Sequence, residues 1–546
     1  MNPLMSTSSL RLLLLAVFVF SLSVAQVRDT LRPDHAAKLK VTVKRSDTGG
    51  IVPSRVYLFK GDRPFRLSPV DALLPLNPDL FYRERLWRRQ TPVSTLEVTG
   101  RGESHYFLLD GSGEFDLPAA GNYRLEAYHG TFFKPASAEF SLTADQTQSV
   151  VLEVEPIAPG RQERWISADD HIHLMRAKED NDIFLRWIAA EDLNVAHFLE
   201  LERQQHAAVQ YAFGDEGEAR REGQVIRSGH ESRSRFYGHT LFLGARKMIR
   251  PLSIGLEYAN SPEAYPYPME LFAQGRAEGA LTGFAHFYGS QPNSTLLMNL
   301  VHETIDFVEV FQFGVLKTVE WYELLNAGFR VVGLAGSDFP ANIGRFGDWP
   351  RVLPFLGPER ALTPVVDGQP TYQAWERGVR QGAVLLSNGP LLEFEVNGES
   401  AGAQVSWEGH TKTLEGQASV VFHRPIESLE IVSNGRVIAR QAGDGTTKEL
   451  TLKFESEISA SSWIAARAVA QSLEEEPPLQ AHINPVYLLK DGAPIQVESA
   501  RRALSDRWST EANYYRKGPL DFRNAADRER LLARVSRTTE ALLPTR

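Results

Sequence analysis

Cysteine is absent from the 546-residue chain. Its absence excludes disulfide bonds, thiol nucleophiles, zinc fingers, iron–sulfur clusters and a lipidated N-terminal cysteine. Long basic runs are also missing, and 59 Lys and Arg against 68 Asp and Glu give a formal charge of −9. This balance argues against a nucleic-acid partner. Any bound metal must therefore be held by histidine and carboxylate side chains.

The length and composition are those of a globular protein with about three domains. Hydrophobic residues make up 42% of the chain and aromatic residues 10%. These fractions are enough to build apolar cores, and they exclude wholesale disorder.

Residues 1–25 have the pattern of a secretory signal peptide. Arg11 supplies a positive charge, residues 12–22 form an apolar run, and a Ser-Val-Ala sequence ends at Ala25 in the form that signal peptidase accepts. The alternative is a membrane anchor, which needs about 20 apolar residues, and this run is shorter. We expect cleavage after Ala25 and a periplasmic or secreted protein without stable membrane insertion.

The remaining chain changes its pattern at three points. Short strands separated by Gly, Asp and Pro predict two β-sandwiches, and alternating strands and helices between them predict an α/β domain. That segment exceeds 200 residues, which allows a barrel with an active site at the carboxyl ends of its strands. The predicted boundaries are 37–160 for the N-terminal sandwich, 161–387 for the α/β domain, 388–497 for the C-terminal sandwich and 498–546 for a charged, partly helical tail.

Candidate metal ligands begin near the start of the α/β segment. His171 and His173 are two residues apart at an expected strand end, so their side chains point to the same side. Two imidazoles on one face can hold a divalent cation, with Asp169 or Asp170 bracing a ring N–H. The alternative is an ordinary structural or surface histidine pair.

Three further strand ends carry similar groups. Glu231 and His239 are expected on neighbouring strands, His286 ends an apolar strand, and Asp338 follows another. The alternatives are a surface hairpin with exposed charge, a buried core histidine and an aspartate that caps a turn. Because four strand ends each supply a histidine or a carboxylate, we interpret the set as six ligands for two divalent ions, with Glu231 able to bridge them.

The same residues carry a resemblance to a known family. The motifs are, in chain order, Asp169-x-His171-x-His173, Gly229-x-Glu231, Gly238-His239, Ala285-His286 and Gly336-Ser337-Asp338. This ordered set resembles the CehA/McbA metallohydrolases of the polymerase-and-histidinol-phosphatase (PHP) superfamily, over roughly residues 116–497. The resemblance implies an α/β metal-dependent distorted (β/α)7 PHP-like barrel flanked by N-terminal and C-terminal β-sandwich domains.

The resemblance also implies a ligand set. One metal would be held by His171, His173, Glu231 and Asp338, and a second by Glu231, His239 and His286. Residues 198–201 stand where superfamily members often have Thr-Asp-His, and Pro340 stands where they often have histidine. A third metal is therefore not expected, and the expected cofactors are one or two divalent ions of Zn, Mn or Fe.

The expected function is hydrolysis of an ester, carbamate or amide bond of a small-molecule substrate by metal-bound hydroxide. Asp338 is the candidate general base, and His239 or His286 is the candidate catalytic partner of the leaving group. Glu309 lies on a neighbouring strand, where it either orients a ligand or has a plain structural role.

Other functions stay open from the sequence. The wider superfamily makes a phosphoester the alternative substrate. A non-catalytic exported protein could instead hold the metal structurally and bind a glycan or a partner through its sandwiches. A serine hydrolase is not supported, because no G-x-S-x-G elbow occurs. Aromatic and Pro-rich loops at 258–268 and 346–354 either shape an apolar substrate pocket or simply pack.

Overall fold

The computed structural model describes residues 36–543 with internal gaps. The gaps are 62, 65–72, 77–94, 100–104, 119–120, 203–206, 235–236, 255–266, 290–293, 340–358, 367, 474–476 and 519. The predicted signal peptide, the loop at 346–354 and most of the loop at 258–268 lie outside the described residues. Within the described ranges, no helix combines the length and the apolar character that a membrane crossing requires.

The N-terminal block forms two sheets. Its strands β1–β11 are Ala36–Arg45, Ser54–Lys60, Arg63–Pro64, Leu73–Leu76, Thr95–Thr99, His105–Leu109, Ser112–Pro118, Gly121–Tyr128, Phe133–Lys134, Ala136–Leu142 and Thr147–Pro156. One sheet has the order β7-β1-β11-β9 and the other β10-β8-β2-β6-β5-β4, with β3 paired to β2. Leu39 and Val41 of β1 and Val56 and Leu58 of β2 belong to one apolar cluster that both sheets share. The sandwich arrangement itself stays a prediction.

The middle block alternates strands with helices. Its strands β12–β24 are Trp165–Ile172, Val195–Glu202, Ala207–Ala208, Ala219–Arg221, Gln224–Ser234, Gly238–Leu243, Ser253–Ile254, Leu281–Phe284, Phe307–Gln312, Val315–Leu316, Val332–Ala335, Arg360–Pro364 and Leu385–Ser387. Its helices α1–α6 are Asn181–Ala190, Gly214–Gly217, Pro268–Ala277, Leu296–Val301, Thr318–Asn326 and Tyr372–Gln381.

Most neighbouring long strands of this block run parallel. Parallel ladders join β12 to β13, β13 to β16, β19 to β20 and β20 to β22. The exceptions are β17, which is antiparallel to both β16 and β19, and β23, which is antiparallel to both β12 and β24. A single parallel bridge between Ile172 and Phe339 sets the chain after β12 beside the chain after β22. Closure into a (β/α)7 barrel stays a prediction.

The C-terminal block continues the same hydrogen-bonded sheet. Its strands β25–β33 are Leu391–Val396, Gln404–Trp407, Lys412–Val421, Ile426–Ser433, Arg436–Ala442, Glu449–Ile458, Ser462–Ala470, Leu479–Ile483 and Val486–Lys490. β24 pairs with β32, so the predicted boundary at 387/388 falls where the two blocks share a ladder. β25, β27 and β30 form a separate sheet.

The tail forms two helices that pack on the middle block. They are α7, Glu498–Lys517, and α8, Ala525–Leu542. The guanidinium of Arg507 lies 3.8 Å from the centre of the Tyr288 ring, and Tyr515 stacks on Tyr237 with a ring separation of 6.2 Å. Both contacted tyrosines lie within two residues of a candidate ligand, so the tail braces the loops that carry the site.

A buried ion pair fastens the N-terminal block to the middle block. Arg55 of β2 donates to both carboxylate oxygens of Glu191, at 2.6 and 2.5 Å, directly after α1. The guanidinium also lies 5.2–5.8 Å from the ring centres of Tyr57, Tyr106 and Tyr128. Both charged side chains are almost completely buried, so each depends on the other for its counter-charge.

The Arg55→Met variant should lower the free energy of unfolding by about 3–5 kcal/mol, because it leaves the Glu191 carboxylate buried and unpaired. Urea denaturation followed by tryptophan fluorescence measures this loss. The matched control is Lys38→Met, which removes a half-exposed pair with Glu114 and should cost less than about 1 kcal/mol. Equal losses in the two variants would contradict a special role for the buried pair.

His482 of β32 joins the C-terminal block to α5. Its Nε2 accepts the hydroxyl hydrogen of Tyr322 at 2.5 Å, and its Nδ1 donates to the carbonyl of Ile483 at 2.8 Å. The side chain is fully buried, and this burial lowers the pKa of His482 to about 3. The ring is therefore neutral in the folded protein near neutral pH.

The His482→Gln variant should unfold with less sensitivity to acid. An unfolded histidine binds a proton below about pH 6.5, whereas folded His482 does so only near pH 3. The stability that the neutral ring contributes is therefore present above pH 6.5 and lost as the pH falls. Between about pH 7 and pH 5, the free energy of unfolding should fall by about 2 kcal/mol less in the variant than in the wild type. Identical pH profiles in urea titrations would contradict the assignment.

Candidate metal centre

All six predicted ligands lie together in the described part of the middle block. His171 is the penultimate residue of β12 and His173 follows that strand. Glu231 lies on β16 and His239 is the second residue of β17. His286 follows β19, and Asp338 follows β22. The antiparallel register of β16 and β17 places His239 opposite a residue two positions after Glu231. The two residues thus lie on neighbouring strands, as predicted.

Local backbone geometry turns the ligands inward. His286 and Asp338 have φ values of 53° and 50°, in the left-handed region that costs free energy for most residues. One Asp169 carboxylate oxygen accepts the backbone N–H groups of His171 and Ser337, at 3.1 and 3.0 Å. Asp169 therefore ties the end of β12 to the segment after β22. It does not hold a ring N–H, which was the role considered from the sequence.

Glu309 of β20 has that ring contact instead. Its Oε1 lies 2.9 Å from His171 Nδ1, and its Oε2 accepts the backbone N–H of His286 at 2.7 Å. Gln312 donates a further hydrogen bond to the same Oε2 at 3.0 Å. One buried carboxylate thus orients two candidate ligands, which favours the orienting role over the plain structural one.

The first group of ligand atoms surrounds the two Nε2 atoms of β12. His171 Nε2 and His173 Nε2 are 3.0 Å apart, and Glu231 Oε2 is 3.0 Å from the latter. Asp338 Oδ1 lies 3.4 and 3.5 Å from the two nitrogens. It is buried and accepts no hydrogen bond from any described residue.

The protonation of the two histidine rings decides whether their Nε2 atoms can bind a cation. Each Nδ1 has an acceptor, Glu309 for His171 and the carbonyl of Leu199, at 3.3 Å, for His173. With hydrogen on Nδ1, both Nε2 atoms direct lone pairs at each other and at carboxylate oxygens. Two nitrogens about 2.1 Å from one cation and at right angles would be about 3.0 Å apart. The residues present therefore fit a divalent cation.

When no cation is bound, a proton can lie between the two facing nitrogens instead. Burial lowers the pKa of His171, but the carboxylates of Glu309 and Asp338 outweigh it and raise that pKa well above its ordinary value. Burial is the dominant effect on His173 and lowers its pKa. The pair therefore shares one positive charge between the two facing nitrogens.

The second group lies on the other side of the same carboxylates. Glu231 Oε1 is 2.8 Å from His239 Nδ1 and 3.9 Å from His286 Nε2, and Asp338 Oδ2 is 3.8 Å from that same Nε2. Burial lowers the pKa of His239 to about 4, so its ring is neutral. Glu231 and Asp338 each direct one oxygen to each group, which is the arrangement of bridging ligands.

Arg233 sets the charge state of Glu231. Burial would raise the pKa of Glu231, but the positive charge of Arg233 holds it well below its ordinary value. Arg233 Nη2 and Nε donate to Glu231 Oε2 at 2.8 and 3.0 Å, and Arg233 is buried. An exposed charged hairpin, the alternative considered from the sequence, does not describe this pair. The sequence signal for this pair is the two-residue spacing of Glu231 and Arg233, which puts both side chains on one face of the strand.

Comparisons with known proteins add little. No protein-family model matches the chain, and no curated protein matches it significantly. A crystal structure of endonuclease Q with a 27-mer duplex substrate carrying an abasic lesion is 15% identical, with a TM-score of 0.27, over 40% of this chain and 56% of that chain. A solution structure of a CARDB domain from Pyrococcus furiosus is 16% identical, with a TM-score of 0.14, over 18% of this chain and 95% of that chain. The match spans little more than half of the endonuclease Q chain, and similarity at these scores assigns neither fold nor function.

The Glu309→Gln variant should bind divalent metal about 10–100-fold more weakly, because it removes the charge that orients and polarises His171. Competition with a chromophoric chelator measures the dissociation constant. Glu408→Gln, at an exposed position of the C-terminal block, is the matched control and should leave the affinity unchanged. An unchanged affinity in Glu309→Gln would remove Glu309 from the site.

Proposed function

We propose that the protein is a metal-dependent hydrolase of an ester, carbamate or amide bond in a small molecule. The observation that carries this proposal is the meeting of two imidazole lone pairs and two carboxylates at one buried point. A non-catalytic protein would need only the fully buried first group. The second group is partly open, with 12% of the His239 side chain and 11% of the His286 side chain exposed.

The residues at the open edge have the roles that hydrolysis requires. When bound, a divalent cation would lower the pKa of water and polarise the scissile carbonyl or phosphoryl oxygen. Asp338 is 8% exposed and directs its oxygens at both groups, so we assign it the general base that takes the proton from water. We assign the contact with the leaving group to His239 or His286, which flank the same edge. The fully buried His171 and His173 hold the cation only.

The proposal includes the architecture and the location expected from the sequence. The series of parallel strands β12, β13, β16, β19, β20 and β22, with ligands at or beyond several of their ends, supports a PHP-like barrel of the CehA/McbA type. The pattern of residues 1–25 supports export to the periplasm or the medium.

Elemental mass spectrometry of the purified protein tests the metal. The wild type and a His410→Ala control, at an exposed histidine, should hold one or two equivalents of Zn, Mn or Fe. His173→Ala and Glu231→Ala should lose the metal, whereas His239→Ala should lose only the second equivalent. No metal after reconstitution, or metal unaffected by both His173→Ala and Glu231→Ala, would overturn the hydrolase proposal.

Assays with the metal-loaded protein then separate the bond types. p-Nitrophenyl acetate and a matched carbamate should be hydrolysed faster than p-nitrophenyl phosphate, and Asp338→Asn should abolish that activity while leaving some metal bound. Faster hydrolysis of the phosphoester would favour the phosphoesterase alternative. Full metal content without activity on any of these compounds would favour a structural metal.

A further inference from the structure

A strained phenylalanine lies beside the open edge of the metal centre. β20 and β21 pair Gln312 with Val315, so Phe313 and Gly314 form a two-residue hairpin turn. Their φ values are 52° and 70°, and positive φ at both positions defines a type I′ turn. The first position of such a turn favours Asn, Asp or Gly, because a bulky side chain there is strained.

Other hairpins of the same chain follow the usual rule. Asn434-Gly435 joins β28 to β29 with φ values of 46° and 81°, and Asn397-Gly398 makes a similar turn with φ values of 51° and 80°. Among the ten described non-glycine residues with positive φ, six are Asp or Asn, and the others are His286, Phe287, Glu303 and Phe313. The phenylalanine in this turn therefore differs from the asparagine at the same position of the two comparable turns. Strain of this kind persists where function requires the side chain.

The turn is held rigidly beside a candidate ligand. Gly314 donates its N–H to Glu359 at 2.6 Å and accepts a hydrogen bond from Gln480 at 3.1 Å. The Phe313 ring is inclined by 19° to the His286 ring, with 6.3 Å between their centres. Phe313 is only partly buried, and Val315 after it is 55% exposed. A partly exposed aromatic ring thus lies beside His286 of the second ligand group.

We propose that Phe313 determines substrate specificity by packing against an aromatic or broad apolar group next to the scissile bond. The proposal rests on the metal-dependent function proposed above and adds the substrate class to it. A flat apolar group seated on Phe313 would lie beside His286 and displace water from this edge. A hydrophobic contact of this kind increases the protein's affinity for an aromatic ligand relative to its affinity for a small one.

The test compares two metal-binding ligands, benzohydroxamate and acetohydroxamate, on the zinc-loaded protein by calorimetry. The wild type should bind benzohydroxamate about ten-fold more tightly than acetohydroxamate. Phe313→Asn introduces the residue that the turn prefers, so it should lose this preference while keeping its zinc and its affinity for acetohydroxamate. Its melting temperature should equal or exceed that of the wild type. Asn397→Phe, the reverse exchange at a distant exposed turn, is the matched control and should lower the melting temperature without changing the ligand preference.

The possible failures can be told apart. A preserved preference in Phe313→Asn, or no preference in the wild type, would overturn the role of Phe313 while leaving the metal centre standing. A melting temperature of the metal-free Phe313→Asn protein well below that of the wild type would show that Phe313 is a packing residue, and would also overturn the proposal. A wild-type protein that holds no zinc and binds neither hydroxamate would overturn the proposed function, and the specificity proposal with it.

Discussion

Two imidazole nitrogens that face each other across 3.0 Å constrain much of the middle block. Lone pairs at that distance repel unless a proton or a cation lies between them, so the chain must supply carboxylates around His171 and His173 and hold them fixed. Glu309 supplies one from β20, and Asp169 pins the neighbouring backbone. The same constraint requires glycine at position 336, because a Cβ on Gly336 would collide with a carboxylate oxygen of Asp170.

The other blocks stabilise this middle block through a small number of buried polar contacts. Asn484 of the C-terminal block exchanges two hydrogen bonds with the backbone of Gly333 on β22, at 2.8 and 3.1 Å. The Arg55–Glu191 pair secures the opposite side, after α1. Charged and amide groups buried at such contacts are stable only when each has its partner. The contacts therefore fix which surfaces meet, while apolar clusters that the blocks share supply the buried hydrophobic area.

Sequence patterns selected the candidate ligands that the structure brings together, but not the residues that support them. Period-two alternation correctly relates His171 to His173, whose Nε2 atoms lie 3.0 Å apart. The antiparallel strand β17 could not be foreseen, because its apolar residues have the same pattern in either direction. The roles of Arg233 and Glu309 could not be predicted for a similar reason. A charged residue on a strand has the same sequence signal whether it is solvated or buried against a partner that lies far away in the chain.

Three of the ten described non-glycine residues with left-handed φ border the open edge of the centre. His286, Phe313 and Asp338 all have left-handed φ, and all three border the edge at which the second ligand group is partly exposed. His171 of the first group, by contrast, is fully buried and lies on a regular strand, β12. Evolution tolerates the cost of strained backbone where a side chain must be presented in one orientation to something outside the protein. Under the proposed function, these strained residues would be the ones that face the substrate.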